Sequence, residues 1–141
     1  MAALMSVEVV SAEDHVYSGE IRELYARGVD GEIGILPGHQ PALVALDIGA
    51  VKLVAEDGGT EVVAVHRGVL FVGEDGKVIV LADIAELASD VDVARAEARR
   101  HELEERLTRS DAKSAVLTAS LRKQLLRLEV ARQATEAVQR R

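Results

Sequence analysis

The sequence contains no cysteine and no tryptophan, and its aromatic residues are two tyrosines and one phenylalanine. Without cysteine the chain cannot form a disulfide or use a thiolate for catalysis or zinc binding. Base stacking needs aromatic side chains, so the composition argues against a nucleic-acid partner. No apolar stretch approaches the roughly 20 residues of a transmembrane helix. What remains is a chain whose core must be built from Val, Ile, Leu and Ala.

Charge is divided unevenly along the 141 residues, whose formal net charge is −7. Residues 1–90 contain 16 acidic and 5 basic residues, whereas residues 91–141 contain 8 acidic and 12 basic residues. This asymmetry indicates two parts with different partners. A solvated acidic domain followed by an arginine-rich helix surface would produce the same pattern.

Short apolar runs separated by turn residues fill the first part of the chain. Asp75-Gly76, between two such runs, is a strong hairpin signal because this turn needs positive φ. Residues 66–68 are predicted to form another turn, with His66 as a turn residue. Since no helical period separates the runs, residues 1–88 are predicted to form an all-β sandwich or barrel.

Residues 90–141 contain neither glycine nor proline and are rich in Ala, Arg, Leu and Glu, which favour helix. Ser89, Asp90 and Asp92 supply a helix cap and first-turn acids that complement the helix dipole. A break further along divides the region into two helices. Residues 89–141 are therefore predicted to form an antiparallel two-helix hairpin.

The break lies at residues 108–111, where Ser110 or Asp111 can cap the second helix. The predicted apolar stripes are Val93, Ala96, Leu103 and Leu107 in the first helix, and Leu117, Leu121, Leu125, Leu128 and Ala131 in the second. Burying a leucine contributes about 1.5–3 kcal/mol, whereas ordering each residue costs about 1–2 kcal/mol of backbone entropy. Because the first stripe is thin, we expect the hairpin to detach and rearrange.

No pattern typical of catalysis or metal binding is present. His101-Glu102 begins like a zinc-protease helix but lacks the second histidine, so a charged helix face is the better interpretation. Residues 73–77 end in Gly-Lys without the spacing of a phosphate loop. We therefore expect no catalytic residue, no metal ligand and no required cofactor. An enzyme that uses His39 and His66 is the weakest hypothesis.

Residues 31–43 combine both prolines of the chain with three glycines and a histidine. Such a segment indicates either a rigid connection between strands or a docking loop that loses little entropy on binding. The sequence Gly-Glu-Ile-Gly-Ile-Leu-Pro-Gly-His-Gln-Pro at residues 31–41 resembles a signature of the epsilon subunit of F-type ATP synthases. Residues 9–13, 80–83 and 92–96 resemble the family's opening strand, last strand and hairpin start, so the resemblance spans nearly the whole chain.

The resemblance implies a sandwich of about ten strands followed by the helical hairpin, in a non-catalytic subunit of the central stalk. The sandwich would clasp the gamma subunit and rest on the c-subunit ring, which couples proton transport to ATP synthesis. The hairpin would either lie on the sandwich or extend toward the alpha/beta catalytic head and inhibit ATP hydrolysis. The protein would be peripheral, on the cytoplasmic face of a bacterial cell membrane, and would meet the membrane only through the complex.

The resemblance also assigns docking roles within the loop. Glu32 would lie toward the c ring and His39 would lie near gamma, with Pro37 and Gly38 in the same gamma/c-ring docking loop. The alternatives are a solvated loop acid for Glu32 and a hydrogen-bonded turn residue for His39.

A second expected site is a basic face on the second helix. The extended hairpin would present Arg122, Lys123, Arg127 and Arg132 to an acidic segment of the beta subunit. Opposite charges at such a contact favour encounter and register more than affinity. A merely solvated basic face is the alternative.

Some members of the family bind ATP on the folded hairpin, which makes ATP a candidate regulatory ligand here. Asp92, Arg95 and Ala96 match the family's motif on the first helix. Arg127 matches one of two arginines on the second helix, but Lys123 occupies the other position and lacks the fork that grips phosphate bidentately. The alternative is that Asp92 is only a first-turn acid that complements the helix dipole and that Arg95 is only an exposed helix residue.

The alternative function belongs to another class. The chain could be a stand-alone protein-binding module whose arginine-rich hairpin recognises an acidic partner.

Overall fold

The computed structural model describes residues 3–109 and 114–139, in which eight strands precede two helices. A short 3-10 turn, Ala88–Asp90, joins the two parts. The elements are β1 (Met5–Ser11), β2 (His15–Ile21), β3 (Glu23–Gly28), β4 (Gly31–Ile35), β5 (Ala42–Leu46), β6 (Gly49–Val54), β7 (Thr60–Val72), β8 (Val78–Leu87), α1 (Val93–Arg109) and α2 (Ala115–Gln139).

The strands hydrogen-bond in the order β2-β1-β8-β7-β5-β3-β4, and β6 pairs with both β3 and β7. Only the β1–β8 pair is parallel among the described strands. Every strand contributes inward residues to one aliphatic core, as the composition predicts. The largest fully buried side chains include Ile21, Leu24, Ile35, Leu53 and Leu70.

The turn predicted at residues 66–68 is wrong, because β7 continues through it for 13 residues. Arg67 adopts a φ of 55° and forms a kink in the strand rather than a reversal. At Gly68 a Cβ would lie 2.1 Å from the Leu81 carbonyl oxygen, so only glycine fits where β7 bends against β8. The first half of β7 therefore pairs with β6 and the second half with β5.

An all-β sandwich followed by a helical hairpin is confirmed. The described residues form eight strands where the resemblance implied about ten. The long β7 accounts for part of this difference, because one strand serves two partners.

Both helices begin at a side-chain cap. The Asp92 carboxylate, expected as a first-turn acid, instead caps α1 by accepting a hydrogen bond from the Arg95 amide at 3.0 Å. At α2 the Ser114 hydroxyl accepts from the Leu117 amide at 3.2 Å. The predicted caps Ser110 and Asp111 lie outside the described residues.

The hairpin lies on the sandwich through α2. Val130 is fully buried in a small cluster with Val62 and Ala64 of β7 and with Ala88. In α1, Ala96 and Leu103 are fully buried, whereas Val93 is 48% exposed. The stripe predicted for α2 omits Val130 and includes Leu125, which is 45% exposed. The reason is that α2 is contacted on two sides, by α1 and by the sheet.

Candidate partner-binding surfaces and ligand cleft

The four loop residues expected to dock partners lie at opposite ends of β4. Glu32 is exposed beside the β3–β4 turn, opposite Arg27. Pro37, Gly38 and His39 follow the other end of the strand, where the His39 amide donates to the Leu36 carbonyl at 3.0 Å. Because a strand rises about 3.3 Å per residue, β4 separates the two groups by more than about 10 Å. They belong to two surfaces rather than one site.

An exposed apolar face, which was not predicted from the sequence, crosses β5, β7 and β8. Its members stand in two cross-strand rows. The rows are Leu43–Phe71–Ile79 and Ala45–Val69–Leu81. Leu43 is 73% exposed, Leu81 54% and Phe71 44%. A contiguous exposed apolar patch of this kind typically marks a protein interface. The available signal was the uniformly apolar run of residues 42–46, because a strand covered on one face alone would alternate with polar residues.

A cationic cleft of about 580 Å³ lies between β8, α1 and α2. Three of the residues expected to bind ATP line it: Arg95, Lys123 and Arg127. Asp92, which caps α1, and Ala96, which is fully buried, are not among the residues that line the cleft. The geometry thus gathers the bases of the expected site but not its acid.

Within the cleft, the Glu86 carboxylate of β8 is bound to the Arg127 guanidinium. Its Oε2 accepts from Arg127 Nε and its Oε1 from an Arg127 terminal nitrogen, both at 3.0 Å. The remaining terminal nitrogen donates to Gln124 Oε1 at 3.2 Å. The side chains of Arg127 and Glu86 are 18% and 27% exposed. This bidentate, partly buried pair uses the same fork that would grip a phosphate.

The four bases expected to form one inhibitory face do not share a face while the hairpin is docked. Lys123 and Arg127 are partly buried toward the sandwich, whereas Arg122 and Arg132 are exposed. Arg132 pairs with Glu129 and Glu136 along α2. Hydrogen bonds from Arg132 and Gln133 lower the pKa of Glu129.

Within the described ranges no three His, Asp or Glu side chains are grouped so as to hold a metal ion. In the same residues no helix has the length and apolar character needed to cross a membrane.

Comparison with known proteins decides the family. The family model for the β-sandwich domain of the ATP synthase delta/epsilon chain matches residues 4–88. The ATP synthase epsilon chain of Streptomyces griseus is 46% identical over 115 residues, which are 82% of this chain and 88% of that relative. The chain belongs to the ATP synthase epsilon family.

A second relative and a solved structure are also similar to this chain. The ATP synthase epsilon chain of Bordetella petrii is 45% identical over 121 residues, 84% of this chain and 85% of that relative. A chain from the Euglena gracilis mitochondrial ATP synthase structure containing OSCP, F1 and c-ring has a TM-score of 0.68 and 18% identity. The match covers 96% of this chain and 81% of that one, and at this identity it supports the fold alone.

For this epsilon-family chain, Val130 is predicted to be the main apolar anchor of the docked hairpin. Val130→Ala removes two buried methyl groups, each of which contributes about 0.8 kcal/mol of burial free energy. The equilibrium constant for docking should therefore fall by roughly tenfold. Hydrogen exchange of the full chain should show faster exchange of α2 amides, with the sandwich core unchanged. Val116→Ala makes the same substitution at a side chain that is 75% exposed and should leave exchange unaltered. Equal effects of the two substitutions would contradict the assignment.

Proposed function

We propose that this epsilon-family chain is a non-catalytic central-stalk subunit of a bacterial F-type ATP synthase. It joins the gamma subunit to the c ring, helps to couple proton transport to ATP synthesis, and restrains ATP hydrolysis through its C-terminal helices. The observation that carries the proposal is the exposed apolar face of the sandwich, in a chain whose relatives are named ATP synthase epsilon chain.

The gamma subunit is the proposed partner of the apolar face. Leu43, Phe71 and Leu81 lose little conformational freedom on binding because they stand on paired strands. The segment of Pro37, Gly38 and His39 leads directly into β5, which carries Leu43. The loop and the face can therefore form one continuous contact.

The c ring is the proposed partner of the opposite end of β4. There Glu32 lies beside the exposed β3–β4 turn, in which Val29 is 59% exposed. A subunit held between gamma and the ring would be peripheral, at the cytoplasmic face of the membrane, and would reach the membrane only through the complex.

The apolar face yields the most direct prediction. Leu43→Asp and Phe71→Asp each remove an apolar anchor worth about 1.5–3 kcal/mol and place a carboxylate in its position, so binding to gamma should weaken at least about tenfold. Co-purification of the full chain with gamma, followed by titration, measures the change. Ala12→Asp adds the same charge at an exposed residue near the β1–β2 turn and should have no effect. Undiminished binding of both face variants would refute gamma as the partner of this surface.

The hairpin is the proposed inhibitory element. In the docked position Lys123 and Arg127 face the cleft beside the sandwich and are partly buried, so only a released and extended hairpin would present all four bases of α2 to the alpha/beta head. The expected contact is electrostatic, and its strength should fall with added salt.

Replacing Arg122, Lys123, Arg127 and Arg132 with Ala should raise ATP hydrolysis by the assembled complex, because the released hairpin loses its charge complementarity to the head. The measurement is steady-state hydrolysis with and without the subunit. Since losing Arg127 also frees the hairpin, the Arg122→Ala/Arg132→Ala pair tests the exposed bases alone. Arg106→Ala/Arg109→Ala on α1 is the matched control. Inhibition that persists in the fourfold variant would exclude the basic face.

ATP is the proposed regulatory ligand of the cationic cleft. Arg95, Lys123 and Arg127 would bind the phosphates, but Glu86 holds Arg127 and adds a negative charge. ATP must therefore displace Glu86 from Arg127, which predicts weak binding.

Calorimetric titration of the full chain with ATP tests this arrangement. In the docked hairpin Glu86→Gln should tighten binding, since the competing carboxylate is gone, and Lys123→Arg should tighten it by restoring a bidentate donor. Glu104→Gln, which removes an acid of α1 that does not line the cleft, is the control. Absence of heat with millimolar ATP in all these proteins would remove the site.

A further inference from the structure

His66 lies under the docked hairpin, although nothing in the proposed function uses it. Strand alternation places Val63 and Val65 in the sandwich core, and Val62 and Ala64 under α2. His66 continues the outward row and is half-buried. Its ring therefore lies at the contact between α2 and the sandwich.

The anion beside His66 is Glu86, which also binds α2 through Arg127. Ala64 pairs with Glu86, and His66 pairs with Ile84 on the same strand. Glu86 is therefore the diagonal neighbour of His66 across the β7–β8 pair, a distance that long side chains span. Glu86 already forms its bidentate pair with Arg127.

From α2, the charged groups that face His66 are Lys123 and Arg127, one helical turn apart. Burial, followed by repulsion from Lys123, lowers the pKa of His66 below its ordinary value of 6.5, and the attraction of Glu86 does not offset them. A protonated His66 would thus be a third cation around one carboxylate.

The other neighbouring charges do not supply a counter-ion. Among the described acids Glu86 alone raises the pKa of His66; Asp47, which accepts a hydrogen bond from the Ile48 amide at 2.8 Å, does not. Arg67, next along β7, is exposed. Across the cleft, α1 contributes Arg95, Arg99 and Glu102, and Glu102 pairs with Arg99 at 2.9 Å.

We propose that His66 makes docking of the hairpin sensitive to pH: its protonation weakens the contact between α2 and the sandwich, so that acidification favours the released hairpin. This inference rests on the proposed mobility of the hairpin and adds a trigger for it.

The direction follows from linkage. In the released state His66 regains water and loses Lys123 as a neighbour, so its pKa returns toward the ordinary value. The released state then binds the proton more readily than the docked state. Docking is at full strength above about pH 6.5 and weakens as the pH falls through that value toward the lower pKa of the docked state.

The test measures release of the hairpin in the full chain. Because the sequence has no cysteine, Ser18→Cys on the sandwich and Thr135→Cys on α2 take spin labels at these two exposed sites alone. Distance distributions are recorded at about pH 7.5 and about pH 5.5, on either side of the ordinary histidine pKa. The ratio of released to docked hairpin should rise several-fold on acidification, within the limit of about tenfold per pH unit for one proton.

His66→Gln removes the titrating group while keeping a polar side chain of similar length, so the pH response should disappear. His15→Gln removes an exposed histidine on β2 and should keep it. A response that survives in His66→Gln, or an unlabelled wild-type protein whose His66 ring titrates by NMR at or above its ordinary pKa, overturns the inference.

Glu86→Gln separates this inference from the proposed function. Removing the carboxylate frees Arg127, so the released fraction should rise at both pH values. Release in Glu86→Gln together with no pH response in the wild type overturns the role of His66 and leaves the mobile hairpin intact. No release in any variant at either pH overturns both.

Discussion

The contact between α2 and the outer face of the sandwich determines how the two parts of the molecule behave. It is small, since one fully buried valine meets Val62, Ala64 and Ala88, whereas the sandwich core draws on every strand. Small residues on the strand side let the helix approach closely without a deep interlock. A contact of this size makes the docked state only a few kcal/mol lower in free energy than the released state. A second conformation can be populated when the difference is this small.

The Glu86–Arg127 pair fixes the position of α2 along the sandwich, which the apolar contact alone does not do. Alanine and valine surfaces permit a helix to slide, whereas a bidentate carboxylate–guanidinium pair has one geometry. The pair therefore fixes the register of α2 on β8 more than it adds stability, because both charges lose water on docking. It also links the cleft to docking, since any anion that takes Arg127 changes what holds the helix in place.

The sequence was sufficient for the architecture because its signals are local. Glycine-punctuated apolar runs followed by a region without glycine or proline predict a sandwich and then helices. Residues 66–68 were misread because a glycine after a polar residue is typical of turns, whereas here it forms a kink within β7. Glu86 and Arg127 are 41 residues apart, so their pairing depends on the strand register and on how α2 lies. No sequence period contains that information.

The ion pairs show how little the uneven charge of the chain contributes to holding the hairpin on the sandwich. Between the acidic sandwich and the basic hairpin, the described residues contain a single ion pair, Glu86–Arg127. Most other arginine pairs lie within one helix, as for Arg100 with Glu97 and Glu104. The remaining attraction between the parts acts through water and is screened within about 10 Å at ordinary salt. The charge asymmetry therefore does little to hold the hairpin on the sandwich, and Arg127 becomes available to an acidic partner once the single pair is broken.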